Sequence, residues 1–269
     1  MNNANTNRVW SLIVDKIPLK GSLNMAIDDY LFQSLTDSPK THLRFYTWER
    51  PTASLGYSQK VSQVLDADFC RNNGVDIVRR MTGGKLVLHH KEVTYSVCSS
   101  DTEIFSPQLV ESYSLISKGL MRGLEKMGLE PCLADAPPDF YTKGNLPCFS
   151  YPARNEVEVR GKKIIGSAQK RIKSRFIQHG SIPLEEEDEL LRSVTPMGGR
   201  QEDIRMISLQ NALEKKVSFE WVIEHLKEGF SQYFGIDLKP KVFTKQEMEA
   251  IIKIQKEKYE NDAWTCLRP

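Results

Sequence analysis

The run RRMTGGKLVLH at residues 79–89 most constrains what this chain can fold into. It joins two arginines to the pair Gly83 and Gly84, and then to an apolar stretch typical of a β-strand. Because glycine has no Cβ, backbone N–H groups in such a turn can approach an oxygen atom closely. Taken alone, the pair also fits a simple tight turn with surface arginines. With its flanking cations, the run predicts a loop that holds a small acidic ligand.

The composition fits a globular protein and argues against several other classes. Hydrophobic residues at 40% and charged residues at 27% are near globular averages, and no apolar run approaches the length of a membrane span. The polar first residues lack the apolar segment of a secretory signal. Thirty-seven basic against 35 acidic residues leave a formal charge of +2, which is too balanced to favour nucleic acid. We expect a cytoplasmic enzyme with neither a membrane nor a nucleic-acid partner.

Short β patterns and longer helical periods share the chain. Strands are predicted near residues 8–16, 43–47, 54–57, 75–80, 85–89, 93–99, 155–168 and 176–184. Helices are predicted after Ser22, Ser106, Ser218 and Thr244. In the first helix, Asp28 and Asp29 fall on the predicted solvent side. The pattern predicts a mixed α/β fold with a central, largely antiparallel sheet flanked by helices. Residues 8–240 are predicted to form one domain and 241–269 its small helical C-terminal extension.

A nucleotide-binding phosphate loop is not supported by the glycine run. That motif needs a glycine five positions before its Gly-Lys pair and Ser or Thr after the lysine. Here these positions hold Arg79 and Leu86. No GxGxxG motif opens a helix elsewhere in the chain. We therefore expect no nucleotide hydrolysis.

The cysteines indicate neither a disulfide scaffold nor a metal site. They are odd in number and show neither CxxC spacing nor a neighbouring histidine pair. At least one thiol is expected to be free. The five are Cys70, Cys98, Cys132, Cys148 and Cys266.

Three motifs occur together in the chain. They are RRMTGGKLVLHHKEVTYS at 79–96, GKKIIGSAQKR at 161–171 and QHGSIPL at 178–184. Their combination resembles the lipoate-protein ligase and octanoyltransferase superfamily, which has a biotin/lipoate protein ligase type of catalytic domain. The runs LNMAID at 23–28 and RFYTW at 44–48 are similar to that family as well. The resemblance covers roughly residues 10–240 and implies that residues 8–240 are the catalytic domain.

The chain resembles one branch of the superfamily more than the other. ATP-dependent lipoate ligases usually carry a third glycine where this chain has Lys85, and they lack a required cysteine ahead of the 155–168 hairpin. Lys85, the run EVTYS at 92–96 and Cys148 resemble the cysteine-dependent octanoyltransferases. This resemblance implies octanoyl transfer from octanoyl-acyl carrier protein to a lysine of the glycine-cleavage H protein or another lipoyl domain. It implies that no cofactor is needed.

The resemblance also implies roles for individual residues. Cys148 is the implied nucleophile, which takes the octanoyl group and yields it to a lysine amine. A free thiol with a pKa near 8.5 is mostly protonated at neutral pH, and Lys163 is implied as the cation that raises the thiolate fraction and neutralises an oxyanion. No metal ligand is predicted. The implied substrate contacts are Arg79, Arg80, Thr82, Gly83, Gly84, Lys85, His89, Gly166, Ser167, Ala168 and His179.

Three other functions stay open at the level of sequence. An ATP-dependent ligase would form a lipoyl-adenylate, with Lys163 contacting the adenylate. An amidotransferase would move octanoate between lipoyl domains, although its glycine motif typically lacks the Arg-Arg-x-Thr lead. A noncatalytic lipoate or acyl-protein binder would keep the fold and the glycine loop without the chemistry.

The densest basic run is KRIKSR at residues 170–175, which is predicted to cross a turn between two strands. An acidic carrier protein could dock on such a surface. A solvated hairpin tip accounts for the run equally well, because exposed charges contribute little by themselves.

Overall fold

A mixed eight-stranded sheet forms the centre of the computed structural model, which describes residues 8–36, 38–134, 156–196 and 206–268. The order of its strands is β11-β1-β2-β6-β10-β9-β8-β7, and β4-β3-β5 form a smaller sheet. The strand β1 pairs in parallel with β2 and β11, and the other pairs of the main sheet are antiparallel. The strands are β1 (Arg8–Val14), β2 (Thr41–Tyr46), β3 (Thr52–Leu55), β4 (Asp76–Arg79), β5 (Val87–His89), β6 (Glu92–Ser99), β7 (Pro131–Leu133), β8 (Val157–Val159), β9 (Lys162–Ile172), β10 (Arg175–Pro183) and β11 (Ile236–Pro240).

Helices cover both faces of this sheet. In the described ranges no helix is long and apolar enough to cross a membrane. The helices are α1 (Gly21–Gln33), α2 (Val61–Val64), α3 (Ala67–Asn72), α4 (Leu109–Lys126), α5 (Asp188–Ser193), α6 (Leu209–Leu213), α7 (Phe219–Phe234), α8 (Lys245–Ile254) and α9 (Asp262–Thr265), with a π-helical turn at Gln255–Tyr259.

The predicted fold class is confirmed, with differences in detail. The side chain of Ser218 caps α7, and Thr244 forms a capping box with Glu247 at the start of α8. The helix expected after Ser106 begins only at Leu109, because the Ser106 hydroxyl accepts the N–H of Gln108 in a turn ahead of it. The short, largely exposed strand β11 was not predicted, since its partner β1 lies more than 220 residues away in the chain.

The expectation that Asp28 and Asp29 face solvent is wrong, because both side chains are buried. Asp29 accepts hydrogen bonds from Lys258 Nζ at 2.7 Å and from the Tyr259 hydroxyl at 3.1 Å. These partners come from the C-terminal residues, which pack on α1 through Ile251 and Tyr259. A periodicity calculated within one helix cannot reveal partners supplied from so far along the chain. The division into a domain and a C-terminal extension stays a prediction.

The opposite face of the sheet is covered by α4 and α7, which approach each other at two glycines. A Cβ built on Gly229 would lie 2.3 Å from the backbone nitrogen of Gly123, so a larger residue cannot fit without moving a helix. This contact brings Phe230 and Leu226 into the same core cluster as Trp10 of β1. Helices thus pack on both faces of the sheet and hold its strands in fixed positions.

His42 of β2 predicts a pH dependence of stability. Its side chain is buried and both ring nitrogens lack a hydrogen-bond partner among the described residues. Burial, followed by the charges of Lys40 and Lys241, lowers its pKa to about 4. The unfolded chain takes up this proton near pH 6.5, so unfolding becomes easier as the pH falls below that value.

We predict that His42 alone lowers the free energy of unfolding by about 2 kcal/mol between pH 7 and pH 5. The variant His42→Leu keeps the apolar contacts and removes the titrating group, so it should lose this part of the acid sensitivity. Urea unfolding of both proteins at several pH values measures the difference. An unchanged pH dependence in His42→Leu would contradict the assignment.

Candidate active site

The glycine loop between β4 and β5 is shaped by the guanidinium of Arg80. Its Nη1 donates to the carbonyl oxygen of Ser54 at 2.7 Å. Its Nη2 donates to the carbonyl oxygens of Gly83 at 2.9 Å and Lys85 at 2.7 Å. One buried cation therefore ties both ends of the loop to the neighbouring strand β3.

Two glycines let the backbone come close enough for this arrangement. Gly84 has a φ of +91°, which side chains rarely tolerate. A Cβ built on Gly56 would lie 2.0 Å from the carbonyl oxygen of Gly84. The loop accordingly packs directly on the turn that follows β3.

Arg79 has a different place from the one predicted for it. It is fully buried, and its guanidinium donates to the carbonyl oxygens of Gly56, Gln59 and Thr265 at 2.7–3.0 Å. It therefore links β4 to the C-terminal residues and does not line the cavity described below. Its predicted contact with substrate is not favoured by this position.

The carboxylate of Asp28 on α1 lies at the centre of a buried network. Its Oδ1 accepts from Arg44 Nη1 at 2.9 Å and from the Ser96 hydroxyl at 2.8 Å. Its Oδ2 accepts from the Tyr46 hydroxyl at 3.0 Å and lies 3.1 Å from His179 Nδ1. Burial would raise the pKa of Asp28, but the hydrogen bond from His179 and the charge of Arg44 outweigh it and keep the pKa below its usual value.

The network reaches the glycine loop through His179 and Thr82. His179 Nε2 lies 2.7 Å from the Thr82 hydroxyl. Burial lowers the pKa of His179, although Asp28 opposes this, so the ring is neutral and carries one N–H. Since the Asp28 carboxylate can only accept, Nδ1 carries the hydrogen and the Thr82 hydroxyl donates to Nε2. Thr82 is thereby fixed immediately before Gly83.

A second buried carboxylate, Glu92, fixes His89 in the same way. Its Oε1 lies 2.8 Å from His89 Nδ1 and also accepts from the Trp48 indole at 3.2 Å. Its Oε2 accepts from the Ser181 hydroxyl at 2.5 Å, and Thr94 is a further partner. The Trp48 and His89 rings stack with centroids 4.1 Å apart. The His89 ring is therefore held at its edge by Glu92 and on one face by Trp48.

A cavity that opens to solvent lies between the two networks. Six of the predicted substrate contacts line it: Arg80, His89, Gly166, Ser167, Ala168 and His179. Thr82 lies behind His179, and Gly83, Gly84 and Lys85 belong to the adjoining loop. The other lining residues are Met25, Tyr46, Ser54, Val87, Thr94, Gly180 and Ser181. Apolar walls with a few fixed polar groups suit a small acyl chain.

Lys163 forms a buried ion pair on the strand that supplies one wall of this cavity. Its Nζ lies 2.7 Å from Glu156 Oε2, and both side chains are almost completely buried. Lysine is rarely buried without a partner, so Glu156 makes a charged Lys163 possible in this position. Along β9, Lys163 precedes Gly166 of the cavity wall by three residues, which is about 10 Å of strand.

The predicted nucleophile, Cys148, lies outside the described residues. The four described cysteines are free thiols, and none of them lines the cavity. Burial raises the pKa of Cys70 to about 11 and also raises the pKa of Cys98, so both thiols are poor nucleophiles. Cys132 and Cys266 are exposed away from the cavity wall.

Several residues that organise the site were not predicted. Asp28 and Glu92 lie within motifs that carry the family resemblance, but an isolated carboxylate gives no sign that it will be buried. Glu156 is separated from Lys163 by a hairpin turn and follows no motif. In the described parts of the chain, no group of three or more His, Cys, Asp or Glu residues could hold a metal ion.

The fold and the site together place an open cavity on β9, the strand that also carries the buried Lys163. Residues 20–231 match the family model of the lipoyl protein ligase A/B catalytic domain. The chain belongs to this family.

Relatives and solved structures agree with this assignment. The octanoyltransferase LipM of Geobacillus kaustophilus is 34% identical over 276 residues, covering 97% of this chain and 99% of the relative. That of Kyrpidia tusciae is 38% identical over 262 residues, covering 91% and 95%. A crystal structure of lipoate-protein ligase A bound with ATP shares the fold with a TM-score of 0.82 at 22% identity, covering 96% of this chain and 98% of that one. A bi-partite lipoate protein ligase from Thermoplasma acidophilum shares it with a TM-score of 0.78 at 22% identity, covering 97% and 96%.

We predict that Thr82→Val destabilises the protein by about 1–3 kcal/mol, because the buried Nε2 of His179 loses its hydrogen-bond donor. The matched variant Thr82→Ser keeps the hydroxyl and should lose distinctly less. Chemical denaturation of the three proteins at neutral pH measures the difference. Equal losses in the two variants, or a larger loss in Thr82→Ser, would contradict the role given to the Thr82 hydroxyl.

Proposed function

We propose that the chain is an octanoyltransferase of protein lipoylation that works through an acyl-enzyme on Cys148. The donor is octanoyl-acyl carrier protein, and the acceptor is a lysine of the glycine-cleavage H protein or of another lipoyl domain. The observation that carries the proposal is the cavity between the glycine loop and β9, the strand that also carries the buried Lys163 and its partner Glu156. Relatives named octanoyltransferase match nearly the whole chain at 32–38% identity. The place of action is the cytoplasm.

In the first step, the thiolate of Cys148 attacks the carbonyl carbon of the octanoyl thioester. The bond from that carbon to Cys148 forms and the bond to the pantetheine sulfur breaks, so the carrier leaves as a thiolate and takes a proton. The ammonium of Lys163 favours the thiolate of Cys148 and offsets the negative charge that develops on the carbonyl oxygen. Exchange of one thioester for another is close to balanced in free energy.

In the second step, the neutral amine of the acceptor lysine attacks the same carbonyl carbon. A C–N bond forms, the C–S bond to Cys148 breaks, and the proton released by the amine restores the thiol. An amide is more stable than a thioester, so the transfer proceeds without ATP. The enzyme returns to its starting state after each cycle.

The cavity holds the octanoyl chain while these steps occur. Met25 and Val87 contribute apolar surface, and Gly166 and Ala168 leave room because their side chains are small or absent. The two histidines in the wall, His89 and His179, are already oriented by Glu92 and Asp28. A wall whose polar groups have protein partners does not have to lose bound water when an apolar chain enters.

We predict that mixing the protein with octanoyl-acyl carrier protein in the absence of ATP adds one octanoyl group to the enzyme. Cys148→Ser should abolish this adduct and reduce transfer to a lipoyl domain by at least 10³-fold, since the covalent intermediate cannot form as a thioester. Intact-protein mass spectrometry measures the adduct. The matched control is Cys132→Ser, which changes an exposed thiol away from the cavity wall and should keep the adduct.

Two results would contradict the proposal. Full transfer activity in Cys148→Ser would remove the covalent mechanism. Acylation of the lipoyl domain only when ATP and free lipoate or octanoate are supplied would indicate an acyl-adenylate ligase.

A further inference from the structure

We propose that the tip of the β9–β10 hairpin and the first turn of α4 form the docking surface for the acidic carrier protein that delivers the octanoyl group. This hairpin-tip surface consists of residues 170–175 and residues 109–110. The inference rests on the proposed function, because it names the face by which that donor is held.

The hairpin tip carries four cations that no described carboxylate neutralises. Lys170, Arg171, Lys173 and Arg175 form no ion pair within the described ranges. Many other basic residues of the chain do pair, including Lys91 with Glu185 and Lys258 with Asp29. A local excess of positive charge therefore stands out from an almost balanced total, and it attracts an acidic partner.

Three of these cations are positioned by neutral partners. The guanidinium carbon of Arg171 lies 4.8 Å from the centre of the Phe176 ring. Lys170 Nζ and the guanidinium carbon of Arg268 lie 5.8 and 5.9 Å from the centre of the Tyr57 ring. Arg175 donates to the carbonyl oxygen of Leu35 at 3.0 Å. Because a carbonyl oxygen is a neutral acceptor, the positive charge of Arg175 can still attract an acidic partner.

Exposed apolar side chains occur in both segments of this surface. Ile172, Leu109 and Val110 expose 41%, 47% and 56% of their surface. Arg171 Nη2 donates to the hydroxyl of Ser112 at 3.0 Å, which fixes the end of β9 against the first turn of α4. Apolar side chains surrounded by polar and charged ones are the usual composition of a protein interface.

The distance from this surface to the cavity matches the reach of a carrier's prosthetic arm. Strand β9 runs from Ala168 in the cavity wall to Ile172 at the tip, which is four residues or about 13 Å. A phosphopantetheine arm has about 13 covalent bonds between phosphorus and sulfur, close to the backbone of four extended residues, or about 14 Å. A carrier docked at the tip can therefore place its thioester at the cavity.

The test substitutes Lys173, whose side chain is exposed in the turn between β9 and β10. In Lys173→Glu, kcat/KM for acylation by octanoyl-acyl carrier protein should fall roughly fivefold to tenfold at low salt, and less at high salt. Acylation by octanoyl-pantetheine, which lacks the carrier, should be unchanged. A separate binding titration with fluorescently labelled carrier protein measures the affinity of docking, whether or not the octanoyl group is transferred.

The matched control is Lys239→Glu, which makes the same change of net charge on the exposed edge strand β11, five strands away from β9. This substitution should leave kcat/KM with both octanoyl donors unchanged, and also the affinity for the carrier protein. Equal effects of the two substitutions on the carrier would overturn the docking surface. Carrier binding that depends on Lys173 but leads to no acylation from either donor would support the surface and refute the proposed function.

Discussion

Burying the carboxylate of Asp28 costs several kcal/mol of desolvation, which is offset because side chains from three strands converge on it. Arg44 supplies the opposite charge, and Tyr46, Ser96 and His179 satisfy the remaining oxygen lone pairs. These partners lie on β2, β6 and β10, which are neighbours in the main sheet. The position of α1 on the sheet and the orientation of His179 are thus set by the same ionised group.

The shape of the cavity depends on the network around Asp28 and on the similar network around Glu92. Each carboxylate holds one histidine, and the two histidines line the same space. Arg80 then fixes the glycine loop through the carbonyl oxygens of Ser54, Gly83 and Lys85, and its side chain lines the cavity. The polar groups of the cavity wall are already oriented by protein partners, which reduces the free energy that ordering them would cost on binding a ligand.

The sequence predicted most of the strands and the helices capped by Ser218 and Thr244, because these depend on local periodicity and on capping side chains. It also placed Arg80, His89, Gly166, Ser167, Ala168 and His179 at one site through motif resemblance. It failed for Asp28 and Asp29, whose burial depends on partners from other elements, and it did not indicate that Glu156 is buried. It also did not distinguish Arg79, which is bonded to the C-terminal residues, from Arg80, which lines the cavity, because motif resemblance does not show where adjacent side chains point.

We propose that the cleft between the glycine loop and β9 holds the octanoyl chain. A nonhydrolysable thioether analogue of octanoyl-pantetheine, with a photoreactive diazirine at the end of the acyl chain, tests it directly when irradiated with the protein. Residue-level mapping should find the label on Met25, Val87 or residues 166–168, which line this cavity, with loss of labelling when unmodified octanoyl-pantetheine competes. Labelling confined to Leu88, Leu191 or Met206, which line a neighbouring cavity, would mean that the octanoyl chain binds there instead.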